Sequence, residues 1–314
     1  MRSFTGPGAD RFPTDALRSK IQGRQFCNRF LILKKTARYA VSDFASDIAE
    51  RLDLAVDAAY EAGKRTLQYF QGQAYTIQRK SDNSPVTDAD REAEILLRDR
   101  IIASFPDDQI IGEEFPDRDG DSLFRWIVDP IDGTKSFISG VPLYGTLIGI
   151  QFEGKGVAGV IEMPALDERV FASQGQGAWH VQGKQPRRQA RVCDCAQLSD
   201  GLLLTSEFAG WQDREILDIL QELQQASWFT RTWGDCFGYL LVATGRAVAM
   251  IDPVLNIWDA AAVQPVLEEA GGTFTDWSGQ PTVARGEGIG TNGHVLTEIL
   301  NITKRAAPRV VAPE

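Results

Sequence analysis

Apolar residues recur at helical spacing early in the chain and in short strand-like runs later. From Ser42, "SDFASDIAERLDLAVDAAYEAGKRTLQYF" sets Phe44, Ile48, Leu52, Ala55, Ala59 and Ala62 on one helical face, with Ser42 as candidate N-cap. A short strand is expected near 75–78, then a polar loop, "KSDNSPVTDAD", over 80–90. Residues 91–104 predict a second amphipathic helix carrying Ile95, Leu97, Ile101 and Ile102. Beyond Gln109 the runs shorten and Gly and Pro punctuate them. "QIIG", "FRWIVD", "YGTLIGIQF", "GVAGVIEMP", "RVFASQ" and "GAWHVQG" predict a largely antiparallel sheet.

Residues 184–201, "KQPRRQARVCDCAQLSDG", are polar and irregular. After them strand and helix alternate: "LLLTS", "QDREILDILQELQQ", "WFTRTW", "DCFGYLLVATG", "AVAMID" and "WDAAAVQPVLEEAGG". "GEGIGTNG" (286–293) departs from the G-x-G-x-x-G pattern and is expected to be a loop. The organisation expected is a basic extension over 1–40, an α+β domain over 41–185, an α/β domain over 186–305 and a frayed tail over 306–314.

Composition narrows the class. At 314 residues with 43% hydrophobic and 24% charged content, the chain can bury a sizeable core. A net charge of −10 argues against a nucleic-acid binder. Nine of the 33 Lys and Arg, but two of the 43 Asp and Glu, fall within residues 1–40, so the body is strongly acidic. That leader shares its composition with organelle transit peptides but lacks a signal peptide's order, and an upstream start or plain extension also fits. Cys27, Cys193, Cys195 and Cys236 show no zinc spacing and suggest inert thiols in a reducing compartment. No apolar stretch is long enough to span a bilayer. A cytoplasmic protein is expected, with organelle import left open.

Four acidic stretches follow apolar runs or sit in loops: "TDAD" (87–90), "GEE" (112–114), "DPID" (129–132) and "WD" (258–259). Unpaired carboxylates at a core's edge are costly to bury, and a divalent cation removes that cost. In "DGTKSF", Gly133 permits close backbone approach and a helix start would offer N–H groups to an anion. Each stretch also has a bland account. Asp259 could cap a helix, and Glu113–Glu114 could be a solvated pair. Four such coincidences together favour a metal-and-phosphate site. Rival chemistries fit poorly: no cysteine is followed at the required spacing by Arg, and no G-x-S-x-G elbow occurs. His180 and His294 stand beside no arginine motif suited to phosphotransfer.

"SPVTDAD", "GEEF", "DPIDGTKSF" and "WDAAAVQPVLEEAGG", in this order, resemble the inositol monophosphatase-like family over residues 42–304. The resemblance implies a layered αβαβα sandwich and a Mg²⁺-dependent phosphate monoester hydrolase in which water attacks directly. It implies that Glu113, Asp129, the Ile131 carbonyl, Asp132 and Asp259 hold two or three Mg²⁺ ions. It gives Asp90 and Thr134 the attacking water, and the Gly133 and Thr134 amides the phosphate. Glu114 would support the site, and Lys80 would approach the phosphate. A homodimer acting on a small phosphate ester, without nucleic-acid or membrane partners, is also implied.

"DPIDGTKSFISGVPLYGTLIGI" and "WGDCFGYLLVATG" further resemble the histidinol-phosphate phosphatase branch. There Asp235 and Asp252 would face the leaving group, and two acids suit a cationic alcohol better than neutral inositol. Asp235 could instead only cap the helix over 236–244. An inositol-1-monophosphatase, a broader sugar or nucleotide monophosphatase, and a metal-binding regulator without catalysis stay open as alternatives.

Overall fold

The computed structural model describes residues 41–72, 76–79 and 85–306. The basic leader, Lys80 and the tail beyond residue 306 therefore lie outside the described residues. Contacts divide the chain after Asp47, and everything from Ile48 onward forms one compact unit.

The chain opens with α1 (Val41–Leu67), so Ser42 lies inside the helix rather than flanking it. The buried side of α1 reads Ile48, Ala55, Ala58, Ala59 and Ala62, small residues that let the helix approach closely. Strands β1 (Ile77–Arg79) and β2 (Pro85–Thr87) pair antiparallel and lead into α2 (Asp88–Ser104). This helix begins three residues before its apolar pattern, because Thr87 and Asp90 form a reciprocal capping box. Its buried face is Ala89, Ala93, Leu97 and Ile101, joined by Asp90 and Glu94. Ile95 and Ile102, expected on that face, point outward.

The first sheet contains β3 (Gln109–Gly112), β4 (Phe124–Asp132), β5 (Gly145–Phe152), β6 (Lys155–Met163), β7 (Glu168–Ser173), β8 (Ala178–Gln182) and β9 (Arg188–Gln189), in that spatial order. Only β3–β4 is parallel among its pairings. Helix α3 (Thr134–Ile138) intervenes between β4 and β5.

The remaining chain supplies β10 (Leu202–Thr205), α4 (Phe208–Asp213), α5 (Leu217–Ala226), β11 (Phe229–Arg231), α6 (Asp235–Ala243), β12 (Ala249–Asp252), α7 (Ile257–Ala260), α8 (Val263–Glu269), β13 (Thr273–Thr275), β14 (Gly288–Thr291) and α9 (Leu296–Thr303). The second sheet runs β11-β10-β12-β14-β13. Three expectations are corrected here. "WDAAAVQPVLEEAGG" forms two helices, α7 and α8, rather than one. The helix read through 212–225 breaks at Arg214–Ile216, where Glu215 takes a left-handed φ of 57°. "GEGIGTNG" is no loop: residues 288–291 form β14, which pairs antiparallel with both β12 and β13. Gly288 and Gly290 belong there because neighbouring side chains of Leu255, Phe274, Leu267 and Tyr239 crowd their Cα positions.

The principal core lies between the sheets. It joins Leu147, Ile161, Met163 and Val170 of the first sheet to Leu204 and Met250 of the second, through residues of α6 and α8. A second cluster packs α5 and α9 on the outer face of the second sheet through Leu203, Ile251, Leu220, Leu223 and Ile299. With α1 and α2 beyond the first sheet, the layers read αβαβα, as the sequence implied.

One close approach positions the site. A Cβ at Gly149 of β5 would lie 2.5 Å from the Ala261 backbone, and one at Gly159 of β6 would lie 2.1 Å from the Ala262 carbonyl. The bare strand surface therefore seats the α7–α8 junction, two residues past Asp259. Gly159→Ala should cost about 1–3 kcal/mol, read as a lower urea midpoint, and should weaken divalent-cation binding because Asp259 rides on the displaced segment.

Candidate active site

Strand β4 ends in two aspartates three residues apart, which regular strand geometry would place on opposite faces. The register shows how they converge. Asp129 faces Leu147 but Asp132 faces Gly145, so three steps along β4 match two along β5. The extra residue is a β-bulge at Pro130–Ile131. Pro130 has no N–H to pair, and its carbonyl accepts the Thr146 hydroxyl at 2.8 Å. The Ile131 amide turns back to Asp129 Oδ1 at 3.0 Å. Gly133 then takes a left-handed φ of 86° and starts α3. A Cβ there would meet Asp235 Oδ2 at 2.9 Å.

Asp259 arrives from the other side. It is the third residue of α7, whose N-cap Asn256 donates its backbone N–H to Asp259 Oδ2 at 2.7 Å. The carboxylates of Asp129, Asp132 and Asp259 offer oxygens that all lie within 4.8 Å of one another. Glu113, at the end of β3, acts electrostatically on both Asp129 and Asp259. Asp132 accepts the backbone N–H of Cys236 at the start of α6.

Asp90 sits at the first turn of α2, fully buried. Its Oδ2 accepts the Thr87 amide at 2.7 Å and the Thr87 hydroxyl at 2.5 Å. That leaves Oδ1 facing Thr134 Oγ1 at 3.5 Å. The Thr134 hydroxyl also reaches the Ile131 carbonyl at 3.1 Å.

The electrostatics of the site favour a cation beside these carboxylates. Burial first, then Glu113, Asp132 and Asp259, push Asp129 well above the usual carboxylate range. Burial, Asp235 and Asp259 do the same to Asp132. Burial carries Asp259 to about 7 and Asp90 to about 6. Asp129 lies among Glu113, Asp132 and Asp259, whose like charges oppose its ionisation. A cluster of oxygen donors that must hold protons when bare fits a hard divalent cation.

A cleft of about 600 Å³ opens beside these groups. Its walls include Glu113, Asp132, Glu207, Asp213, Asp235, Asp252 and Asp259, and among the described residues Lys135 is the one basic side chain lining it. Asp252, at the end of β12, accepts the Tyr239 hydroxyl at 2.7 Å, and burial raises it to about 7. Asp235 is raised to about 6, by burial and then by Glu207. It does not cap α6: Gly234 is the N-cap, without a side-chain cap bond, and Asp235 itself has a left-handed φ of 55°. The bare capping account of Asp235 is therefore corrected.

Sequence reasoning missed Glu94. Its Oε2 accepts the Glu114 amide at 2.8 Å, and Arg98 donates to its Oε1 at 2.7 Å, so it fixes the "GEE" turn. A Cβ on Gly112 would overlap that carboxylate, which is why the turn needs glycine. The available signal was an acid one helical turn beyond Asp90, on an otherwise apolar face. His180 lies elsewhere, buried against Glu168 at 2.7 Å.

Fold and site together are those of a phosphatase, a hydrolase of phosphate monoesters. The chain belongs to the inositol monophosphatase family, whose model matches residues 47–308. It is similar to the histidinol-phosphatase of Chlorobaculum parvum, 42% identical over 238 residues that cover 76% of this chain and 90% of that one. It is also similar to the histidinol-phosphatase of Mycobacterium tuberculosis, 37% identical over 79% of this chain and 96% of the relative. Among solved structures, the extragenic suppressor protein suhB of Bartonella henselae superposes with a TM-score of 0.75 at 29% identity, over 82% of this chain and 100% of that one. The Thermotoga maritima IMPase gives 0.72 at 27% identity, over 82% and 98%. Among the described residues no helix is long and apolar enough to cross a membrane.

The raised carboxylates fix a pH dependence. Their ordinary value is 3.8, and Asp90, Asp235, Asp252 and Asp259 rise to about 6 or 7. Between those limits the folded chain keeps protons that the unfolded chain has released, so metal-free stability falls as pH rises. Thermal unfolding in EDTA should show a melting temperature about 5 °C or more lower at pH 8 than at pH 5. Added Mg²⁺ should remove most of that slope. A flat metal-free profile would contradict the account.

Proposed function

We propose that this phosphatase hydrolyses L-histidinol phosphate with Mg²⁺ as cofactor, as a step of histidine synthesis. The observation that carries the reading is the cleft's asymmetry. One end has the converging carboxylates and the start of α3, and the adjoining wall has Asp235, Asp252 and Glu207; among the described lining residues the one cation, Lys135, is paired with Glu207. An alcohol carrying an ammonium group suits such a wall, whereas neutral inositol gains little from it. The histidinol-phosphatase relatives support the same choice.

In this reading Glu113, Asp129, the Ile131 carbonyl, Asp132 and Asp259 hold two or three Mg²⁺ ions. Bound Mg²⁺ supplies Lewis-acid charge neutralisation and makes water more acidic. The chain's own residues do the rest. The amides of Gly133 and Thr134, first in a helix and so without intrahelical partners, receive phosphate oxygens. Thr134 Oγ1 takes the proton of the attacking water as its own proton passes to Asp90 Oδ1. The Thr87 bonds hold Asp90 still for that transfer, and a value of about 6 keeps it an available base at neutral pH. Asp235 and Asp252 orient the leaving group.

Two outcomes test this. Asp129→Asn should reduce hydrolysis to background while circular dichroism and the metal-free melting temperature are retained or raised, since one buried charge is gone. Phosphate release with Mg²⁺ should favour L-histidinol phosphate over inositol 1-phosphate by a hundredfold or more in kcat/KM, about 2.7 kcal/mol of discrimination. A tie, or an inositol preference, would leave the phosphatase and remove the substrate.

A further inference from the structure

Across the mouth of the cleft, Lys135 Nζ of α3 meets Glu207 Oε1, the residue that precedes α4, at 2.5 Å. The two side chains are 60% and 55% exposed, yet both line the cleft. Glu207 and Lys135 also lie close enough to Asp235 to act on its charge, in opposite senses. Lys135 follows Thr134 directly, so it stands next to the proposed phosphate seat. Glu207 comes from a separate element, the start of α4, and lines the same cleft as Asp235 and Asp252.

Resting on the substrate reading above, we propose that this ion pair is a substrate-exchanged latch and that Glu207 determines specificity by receiving the protonated amine of the leaving alcohol. The ester carries the same two charges as the pair, with its anionic phosphate at the Lys135 side and its cation at the Glu207 side. On entry the one internal pair gives way to two pairs with substrate: Lys135 turns to phosphate and Glu207 to ammonium. The exchange is feasible because an exposed pair holds weakly and both side chains are long and solvated. It selects for substrate because an ester lacking the cation breaks the latch and leaves Glu207 without a counter-charge. Asp235 lies deeper, against Gly133. Glu207 is a residue of the flexible-reach kind that an amine at variable distance requires.

The test measures kcat/KM, with kcat and KM separated, for L-histidinol phosphate, its N-acetylated derivative and inositol 1-phosphate. The enzymes are wild type, Glu207→Gln and Lys135→Met, each with saturating Mg²⁺. The wild type should favour the free amine over the acetylated ester by tenfold or more. Glu207→Gln should shrink that ratio at least fivefold, mainly through KM of the amine substrate. Lys135→Met should weaken both esters by similar factors, leaving the ratio within about twofold of wild type, because its role is at the common phosphate. An amine-to-acetyl ratio that Glu207→Gln leaves unmoved overturns the proposal. If the wild type prefers inositol 1-phosphate, the substrate reading falls, but the amine-to-acetyl ratio still decides the role of Glu207.

Discussion

Burying several carboxylates at one point without an opposing cation is the constraint on which this structure depends. Water solvates a carboxylate well, and the protein interior does not. Two remedies exist, protonation or a bound cation, and burial together with neighbouring carboxylates raises Asp129 in the direction of the first. The neighbouring architecture serves to keep these groups together in spite of their repulsion. Backbone amides hold Asp129, Asp132, Asp259 and Asp90 one by one, through Ile131, Cys236, Asn256 and Thr87.

Convergence comes from small departures from regular structure. The bulge at Pro130–Ile131 turns an i, i+3 pair onto one site. Bare glycines at 149 and 159 let the α7–α8 junction sink onto the first sheet and carry Asp259 inward. The left-handed backbone at Gly133 and at Asp235 brings the start of α3 and the start of α6 face to face. Left-handed φ at a non-glycine residue is strained, and such strain concentrates where function needs a side chain in one place. Asp235 fits that pattern, since its carboxylate caps nothing and lies against Gly133 instead.

Much of this was legible in the sequence. Strands β3 to β8 followed from their apolar runs, because central strands covered on both faces are near-continuously apolar and Gly and Pro mark their ends. The acidic motifs were legible because each is a short, local departure from apolar context. What sequence could not show was non-local. Strand β14 is glycine-rich, and only its neighbours Leu267, Phe274 and Tyr239 explain why no side chain fits at Gly288 or Gly290. Helices α7 and α8 read as one helix because Ala-rich sequence gives no sign of a break forced by docking on a sheet. Glu94 gains its role only from the fold, which places the Glu114 amide against it across 20 residues of sequence. The Lys135–Glu207 pair joins residues 72 positions apart, and no local pattern encodes it.

The central claim is that the bare site holds protons where it would hold a divalent cation. Calorimetric titration of Mg²⁺ into the metal-free protein at pH 6.5, in buffers of different ionisation enthalpy, measures this directly. The account predicts net proton release on binding, since burial raises Asp252 and Asp259 to about 7, with the release shrinking toward zero by about pH 9. Binding with no proton release at pH 6.5 would mean the carboxylates were already ionised, and would contradict the electrostatic account of the site.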